Sequence, residues 1–447
     1  MENEFIKTTL SGPVRGLMEN GVETFLGIPF AKAERFAYAQ PADAWEGTLD
    51  ATRFGPACPQ YRAWFPHLDN PERLFYFREF REGLDFVYDE NCLNLNIYAP
   101  EQAENCPVIL YFYGGGFNSG CNAEEPFRGY GLAKRGIVTV FANYRVGPLG
   151  YLAHEEIQKE YGRDGNFGLD DQLTALRWVR KHIAAFGGDP ENITLMGQSA
   201  GAISIQYMCL NEANRGLFKR AVMMSGAGLF PRFALPKPAA ETHAYWEAFI
   251  EAAGCRSLAE LKEMGTADLF AAHERFKQGR KDNIYNTMPV VDGVLIPDAI
   301  DKMIGRPLPV DYLIGFTSGD MYAPVMAHIG KRFGRANGAY LYYFDREAPG
   351  DKNGAFHSSY LRYVFERLET SWRPFTKRDR EISRQMADAI AAFAKSGDPN
   401  ADGLPQWEPA DTGHAKVMCF GEKKTAMGRP DFLKMTVHML TKGDPKA

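Results

Sequence analysis

Apolar residues along the chain gather into short runs separated by polar, glycine-containing breaks. Seven such runs are Leu93–Ala99, Val108–Tyr113, Val138–Tyr144, Ile193–Met196, Arg220–Ser225, Tyr312–Phe316 and Tyr340–Phe344. Four of them are followed directly by Gly or Asp, which end strands. Between them lies a helical pattern. Over Asp170–Phe186, Leu173, Leu176, Val179 and Ile183 recur at spacings of three and four, so one face is buried. A second helical pattern covers Arg378–Phe393. Strands alternating with helices predict an α/β fold with a mostly parallel central sheet and helices on both faces. The span 229–306 breaks this rhythm. It is helix-like and rich in Ala, Glu and Lys, and it predicts an insertion over the C-terminal edge of the sheet within one domain of residues 1–447.

Composition narrows the class. The 447 residues are 45% apolar and 24% charged, with 51 basic against 56 acidic side chains and a net charge of −5. Such a chain buries a large core and is not disordered, collagenous or a small disulfide scaffold. A mildly acidic chain has no bulk electrostatic reason to seek nucleic acid or anionic lipid. The start, MENEFIKTTLSG, lacks the basic, apolar and small-residue regions of a signal peptide. Apolar runs such as Val108–Tyr113 fall far short of the roughly 20 residues of a membrane helix. The seven cysteines form no C-x-x-C pair, so neither a zinc nor a redox motif is expected. The expectation is a cytoplasmic protein with reduced thiols, and with no metal and no cofactor.

The most informative segment is Gly197-Gln-Ser-Ala-Gly201. It follows the run Ile193–Met196 and precedes a helical stretch at Ala202–Cys209, the context of a nucleophile elbow. The turn is so sharp that only small residues fit at the flanking positions, hence Gly197 and Gly201. The alternative is a Gly-Ser turn without chemistry, and the strand–turn–helix setting argues against it. A serine attacking an acyl carbon builds charge on the carbonyl oxygen, which waiting N–H donors must meet. One donor is expected at Ala200, the residue after the nucleophile, and others at the triple glycine Gly114-Gly-Gly116 after the run ending at Tyr113.

Ser199 also needs a histidine to take its proton and an acid to orient that histidine. Six histidines follow it: His243, His273, His328, His357, His414 and His438. His243 and His273 lie in the helical insertion. His357 sits in a Gly- and Ser-flanked loop after Tyr340–Phe344, the setting that catalytic residues favour. The acid should leave the preceding strand, and Tyr312–Phe316 runs into Thr317-Ser-Gly-Asp320. Asp292, Asp298 and Asp345 compete with Asp320 for this part.

These residues carry a family likeness. The chain resembles the type-B carboxylesterases, the group of cholinesterases and bacterial para-nitrobenzyl esterases. Phe186–Gly201 fits the serine signature of that family at every position. Glu90-Asn-Cys-Leu-Asn-Leu-Asn-Ile-Tyr-Ala-Pro100 matches a second signature except at Asn91 and Asn94. Further likenesses run from Phe25-Leu-Gly-Ile-Pro-Phe-Ala31 to Gly397-Asp-Pro-Asn400. The resemblance implies an α/β-hydrolase fold, Ser199 as nucleophile, His357 as base, and the amides of Gly115, Gly116 and Ala200 as the oxyanion hole. It places Asp320 where the family usually has Glu, and Gln198 where it commonly has Glu. It also implies ion pairs Arg35–Glu90 and Arg145–Asp171, and it sets Cys58 and Cys92 where secreted relatives close a disulfide.

The function so implied is hydrolysis of carboxylic esters through an acyl-enzyme on a Ser-His-Asp triad, with a small ester as substrate. An amidase or acyltransferase using the same triad, and an inactive binding module on the same fold, are the alternatives. Phe117, Gln198, Phe230 and Phe316 are candidate substrate contacts. The loop Asn118–Phe127 and the insertion are expected to shape the pocket.

Overall fold

A computed structural model describes residues 4–228, 235–281, 286–320, 338–410, 416–431 and 433–435. Twelve strands form the main path of its sheet: β1 (Glu4–Thr9), β2 (Gly12–Glu19), β3 (Val22–Pro29), β4 (Asn94–Pro100), β5 (Cys106–Phe112), β6 (Val138–Ala142), β7 (Gly188–Gln198), β8 (Arg220–Met224), β9 (Asp311–Thr317), β10 (Tyr340–Phe344), β11 (Val417–Phe420) and β12 (Thr425–Gly428). Their spatial order is β1-β2-β3-β4-β6-β5-β7-β8-β9-β10-β11-β12. From β6 to β11 every neighbouring pair is parallel. The strands at the two ends pair antiparallel. All seven sequence-predicted runs coincide with strands of this sheet.

The parallel centre is buried on both faces. Every residue of β6 and β8 is buried, as is β5 from Val108 onward. That is why these strands are legible as apolar runs. The end strands differ. β1 alternates exposed with less exposed positions, and β2 joins β3 through Asn20-Gly21, both with positive φ. An Asn-Gly pair between two such strands is a strong hairpin signal.

Seven of the helices are α1 (Tyr61–Trp64), α2 (Pro71–Phe80), α3 (Phe167–His182), α4 (Ala200–Leu210), α5 (Ala240–Ala252), α6 (Thr266–Lys277) and α7 (Lys377–Ser396). The two predicted helical patterns are α3, continued by a 3-10 turn over Ile183–Phe186, and α7. α7 begins with a capping box. Thr376 and Asp379 satisfy one another's backbone amides, and Gly397 closes the other end in the left-handed conformation. α2 begins where the Asn70 side chain accepts from the amides of Glu72 and Arg73, with Pro71 at the first helical position. Its sequence mixes apolar and charged residues around the axis, so no single stripe betrays it.

Arg145 and Asp171 form the implied ion pair in the interior, with two guanidinium contacts of 2.7 and 2.9 Å. Arg35 and Glu90 pair as well, and Arg35 also ties the backbone at Lys262 to the main body. Cys58 and Cys92 are buried free thiols. The Cys92 thiol is pushed well up by its hydrogen bond with Cys58 and by burial. Among the described residues, no helix is long and apolar enough to cross a membrane.

Candidate active site

Because β5 and β7 to β10 run parallel, their C-terminal ends share one edge of the sheet. Ligands of open α/β sheets bind at that edge. Ser199 stands between the end of β7 and the start of α4, with φ +54 and ψ −121. Few non-glycine residues adopt this backbone, and such strain persists only where the surroundings over-determine it. The constraint is visible in the neighbours. A Cβ on Gly201 would stand 2.1 Å from the Phe112 carbonyl oxygen, and one on Gly226 2.3 Å from the Ser199 carbonyl oxygen. The Ser199 amide donates to Met224 O at 2.9 Å, locking the elbow to β8.

His357 and Asp320 meet. His357 Nδ1 lies 2.5 Å from Asp320 Oδ1. Asp320 is 1% exposed, whereas the His357 side chain is 36% exposed and faces the cavity that Ser199 also lines. The second oxygen of Asp320 accepts from the Thr317 amide at 2.7 Å and from Ser225 Oγ at 2.6 Å. Ser225 Oγ in turn accepts from the Tyr360 hydroxyl at 2.6 Å. Sequence reasoning missed Ser225 and Tyr360. The available signal was a serine at the end of β8, the strand beside the nucleophile strand.

The competing groups are engaged elsewhere. Asp292 Oδ1 accepts three successive amides, Val294 to Ile296, as a turn residue does. Asp345 pairs with Lys434, and Asp298 with Lys302. His243 contacts Asp164, and His273 is buried between the hydroxyls of Tyr61 and Tyr245. His328, His414 and His438 lie outside the described residues.

Gly115 and Gly116 have φ of +115 and +59, and both face the cavity. The Gly115 carbonyl accepts from Asn118 and Ser119, which turns the loop back on itself. Among the described residues neither amide donates to a protein acceptor. Ala200 opens α4, where a first-turn amide has no intrahelical partner. Gln198 is 4% exposed, lines the cavity, and donates its side-chain amide to the His357 carbonyl at 3.2 Å.

The cavity has a volume of about 670 Å³. Its described walls come from α1, α2, the glycine loop and the Asn118–Phe127 loop. This differs from the expected linings. Phe117 is fully buried, with its ring against Tyr151, and Phe316 is buried against Tyr343. Both are core residues, because Phe117 turns inward from its loop and Phe316 points into the sheet's packing layer. Phe230 lies outside the described residues. Among the described residues, α5 and α6 do not line this cavity. α6 backs its wall instead, with Phe270 against Tyr61 and Trp64.

The sheet order and a serine elbow at its parallel edge define an α/β-hydrolase. The carboxylesterase family model matches residues 2–333 and 320–435. The para-nitrobenzyl esterase of Bacillus subtilis (strain 168) is 36% identical over 329 residues, covering 71% of this chain and 63% of that protein. The fumonisin B1 esterase of Sphingopyxis macrogoltabida is 31% identical over 469 residues, covering 98% of this chain and 80% of that one. A solved PNB esterase superposes with a TM-score of 0.82 at 26% identity, over 97% of this chain and 99% of the other. The chain belongs to the carboxylesterase family and is an enzyme of the serine carboxylesterase class.

Proposed function

We propose that the protein hydrolyses small carboxylic esters through an acyl-enzyme on Ser199. His357 takes the proton of Ser199 Oγ as that oxygen attacks the acyl carbon. The amides of Gly115, Gly116 and Ala200 receive the developing oxyanion. His357 returns the proton to the departing alcohol, then activates the water that releases the acid. Asp320 accepts from Nδ1 and holds the imidazole in the tautomer that this requires. The observation that carries the reading is the 2.5 Å contact of His357 Nδ1 with the buried Asp320, beside the cavity that both His357 and Ser199 line.

The test is Ser199→Ala, assayed on p-nitrophenyl acetate and butyrate. Turnover should fall by about three orders of magnitude or more. A fluorophosphonate probe should label the parent protein and leave the variant unlabelled. Retained turnover in the variant overturns the assignment.

A further inference from the structure

The cavity is unequally charged. Its described lining holds three arginines, Arg62, Arg73 and Arg81, against two glutamates, Glu72 and Glu124. Arg62 and Glu124 neutralise one another in an ion pair that is largely shielded from solvent. Arg62 Nε is also held by Gln60 Oε1 at 2.6 Å. Glu72 and Arg73 are exposed in the first turn of α2, where water screens them.

Arg81 is left over. It lies just past the end of α2 and is only partly exposed. Among the described residues, no carboxylate lies within ion-pair distance of it. Its guanidinium donates to the Tyr88 hydroxyl and sits 4.9 Å from the centre of the Phe86 ring. Burial lowers its proton affinity and repulsion from Arg62 adds to that effect, while Tyr88 and the more distant Glu124 oppose it in part. A guanidinium nevertheless stays charged in a protein, so Arg81 adds to the lining of the Ser199 cavity a cation with no carboxylate in ion-pair distance among the described residues. Desolvated charge of this kind is costly unless something pairs with it. A planar fork of donors matches a carboxylate best.

We propose that Arg81 anchors a carboxylate-binding subsite, so that the cavity takes esters carrying a free carboxylate away from the bond to be cleaved. Tyr76, Phe77 and Phe80 of α2 supply the apolar wall along which the body of such a molecule lies. The inference rests on the esterase reading above and names the substrate class of that same site.

The experiment compares charged esters with uncharged counterparts in two arms. In one, the carboxylate is on the acyl side: the p-nitrophenyl half-ester of glutarate against p-nitrophenyl pentanoate. In the other, it is on the alcohol side: p-carboxyphenyl butyrate against p-carbamoylphenyl butyrate. The quantity read is the ratio of kcat/KM, charged over uncharged, at low ionic strength. In at least one arm Arg81→Gln lowers that ratio about tenfold or more, chiefly through KM. Added salt lowers the parent's ratio in the same arm. Arg81→Lys, which keeps the charge without the fork, falls between. Arg256→Gln, an exposed position outside the cavity, keeps the parent's ratio. An Arg81→Gln ratio equal to the parent's in both arms overturns the proposal. Free glutarate should also inhibit p-nitrophenyl butyrate hydrolysis by the parent competitively. Absence of that inhibition overturns the proposal whether or not the variant folds. Failure of the esterase reading has a different signature: no Ser199-dependent turnover of any of the four esters.

Discussion

Ser225 Oγ donates a 2.6 Å hydrogen bond to the Asp320 oxygen that does not face His357. Asp320 is thereby held from both ends, with Thr317 and Ser225 fixing one oxygen and His357 taking the other. In the proposed mechanism such outer partners orient the group that orients the base. Ser225→Ala should lower kcat for p-nitrophenyl butyrate about tenfold with little change in KM, since one hydrogen bond to a buried charge is lost. Tyr360→Phe removes only the outer link and should cost less than threefold. Equal losses in the two variants would speak against this hierarchy.

Gln198 acts on the same histidine from its backbone side. Its amide donates to the His357 carbonyl at 3.2 Å. Gln198→Ala leaves that carbonyl unpaired at the edge of the cavity. Steady-state kinetics should show kcat reduced about threefold to tenfold, with the melting temperature nearly unchanged.

The elbow leaves no room for side chains. A Cβ on Gly201 would meet the Phe112 and Tyr113 backbone at 2.1 to 2.7 Å, which cannot yield locally. Gly201→Ala should destabilise the protein by about 3 kcal/mol or more in urea denaturation. Gly216 has a positive φ of +80 but nothing near a built Cβ, so Gly216→Ala should cost only about 1 kcal/mol.

His273 predicts a pH dependence. Burial, with a smaller contribution from Lys277, lowers its proton affinity from 6.5 to about 3. The folded state therefore holds the neutral ring, while the unfolded chain takes up a proton below about 6.5. The stability is fully present above that pH and falls as pH drops from about 6.5 towards 3, by up to about 1.4 kcal/mol per unit. Urea melts at pH 7, 6 and 5 should show this slope in the parent and a flatter one in His273→Gln.

The central strands and the elbow were legible because their causes are local. A parallel strand buried on both faces must be apolar, and a turn as tight as the one at Ser199 must be flanked by glycine. At the antiparallel end of the sheet β1 left a weaker trace, since its alternate positions meet water. Phe117 and Phe316 show the limit of guessing pocket walls from aromatic residues. Both are apolar, and both pack inward because their backbone directions are set by neighbours distant in sequence.

By itself, then, the amino-acid sequence determined the strand rhythm, the serine elbow with its neighbouring glycine loop, and the family. The pairing of His357 with Asp320 was a nomination until strands β9 and β10 paired side by side and brought their loops together. Tertiary structure alone decided that Ser225 and Tyr360 support Asp320, that α2 walls the cavity, and that Arg81 lines it with no carboxylate in ion-pair distance among the described residues. Those outcomes depend on contacts between residues tens to hundreds of positions apart. Such contacts are set by how the whole chain packs, and no local pattern of residues encodes them.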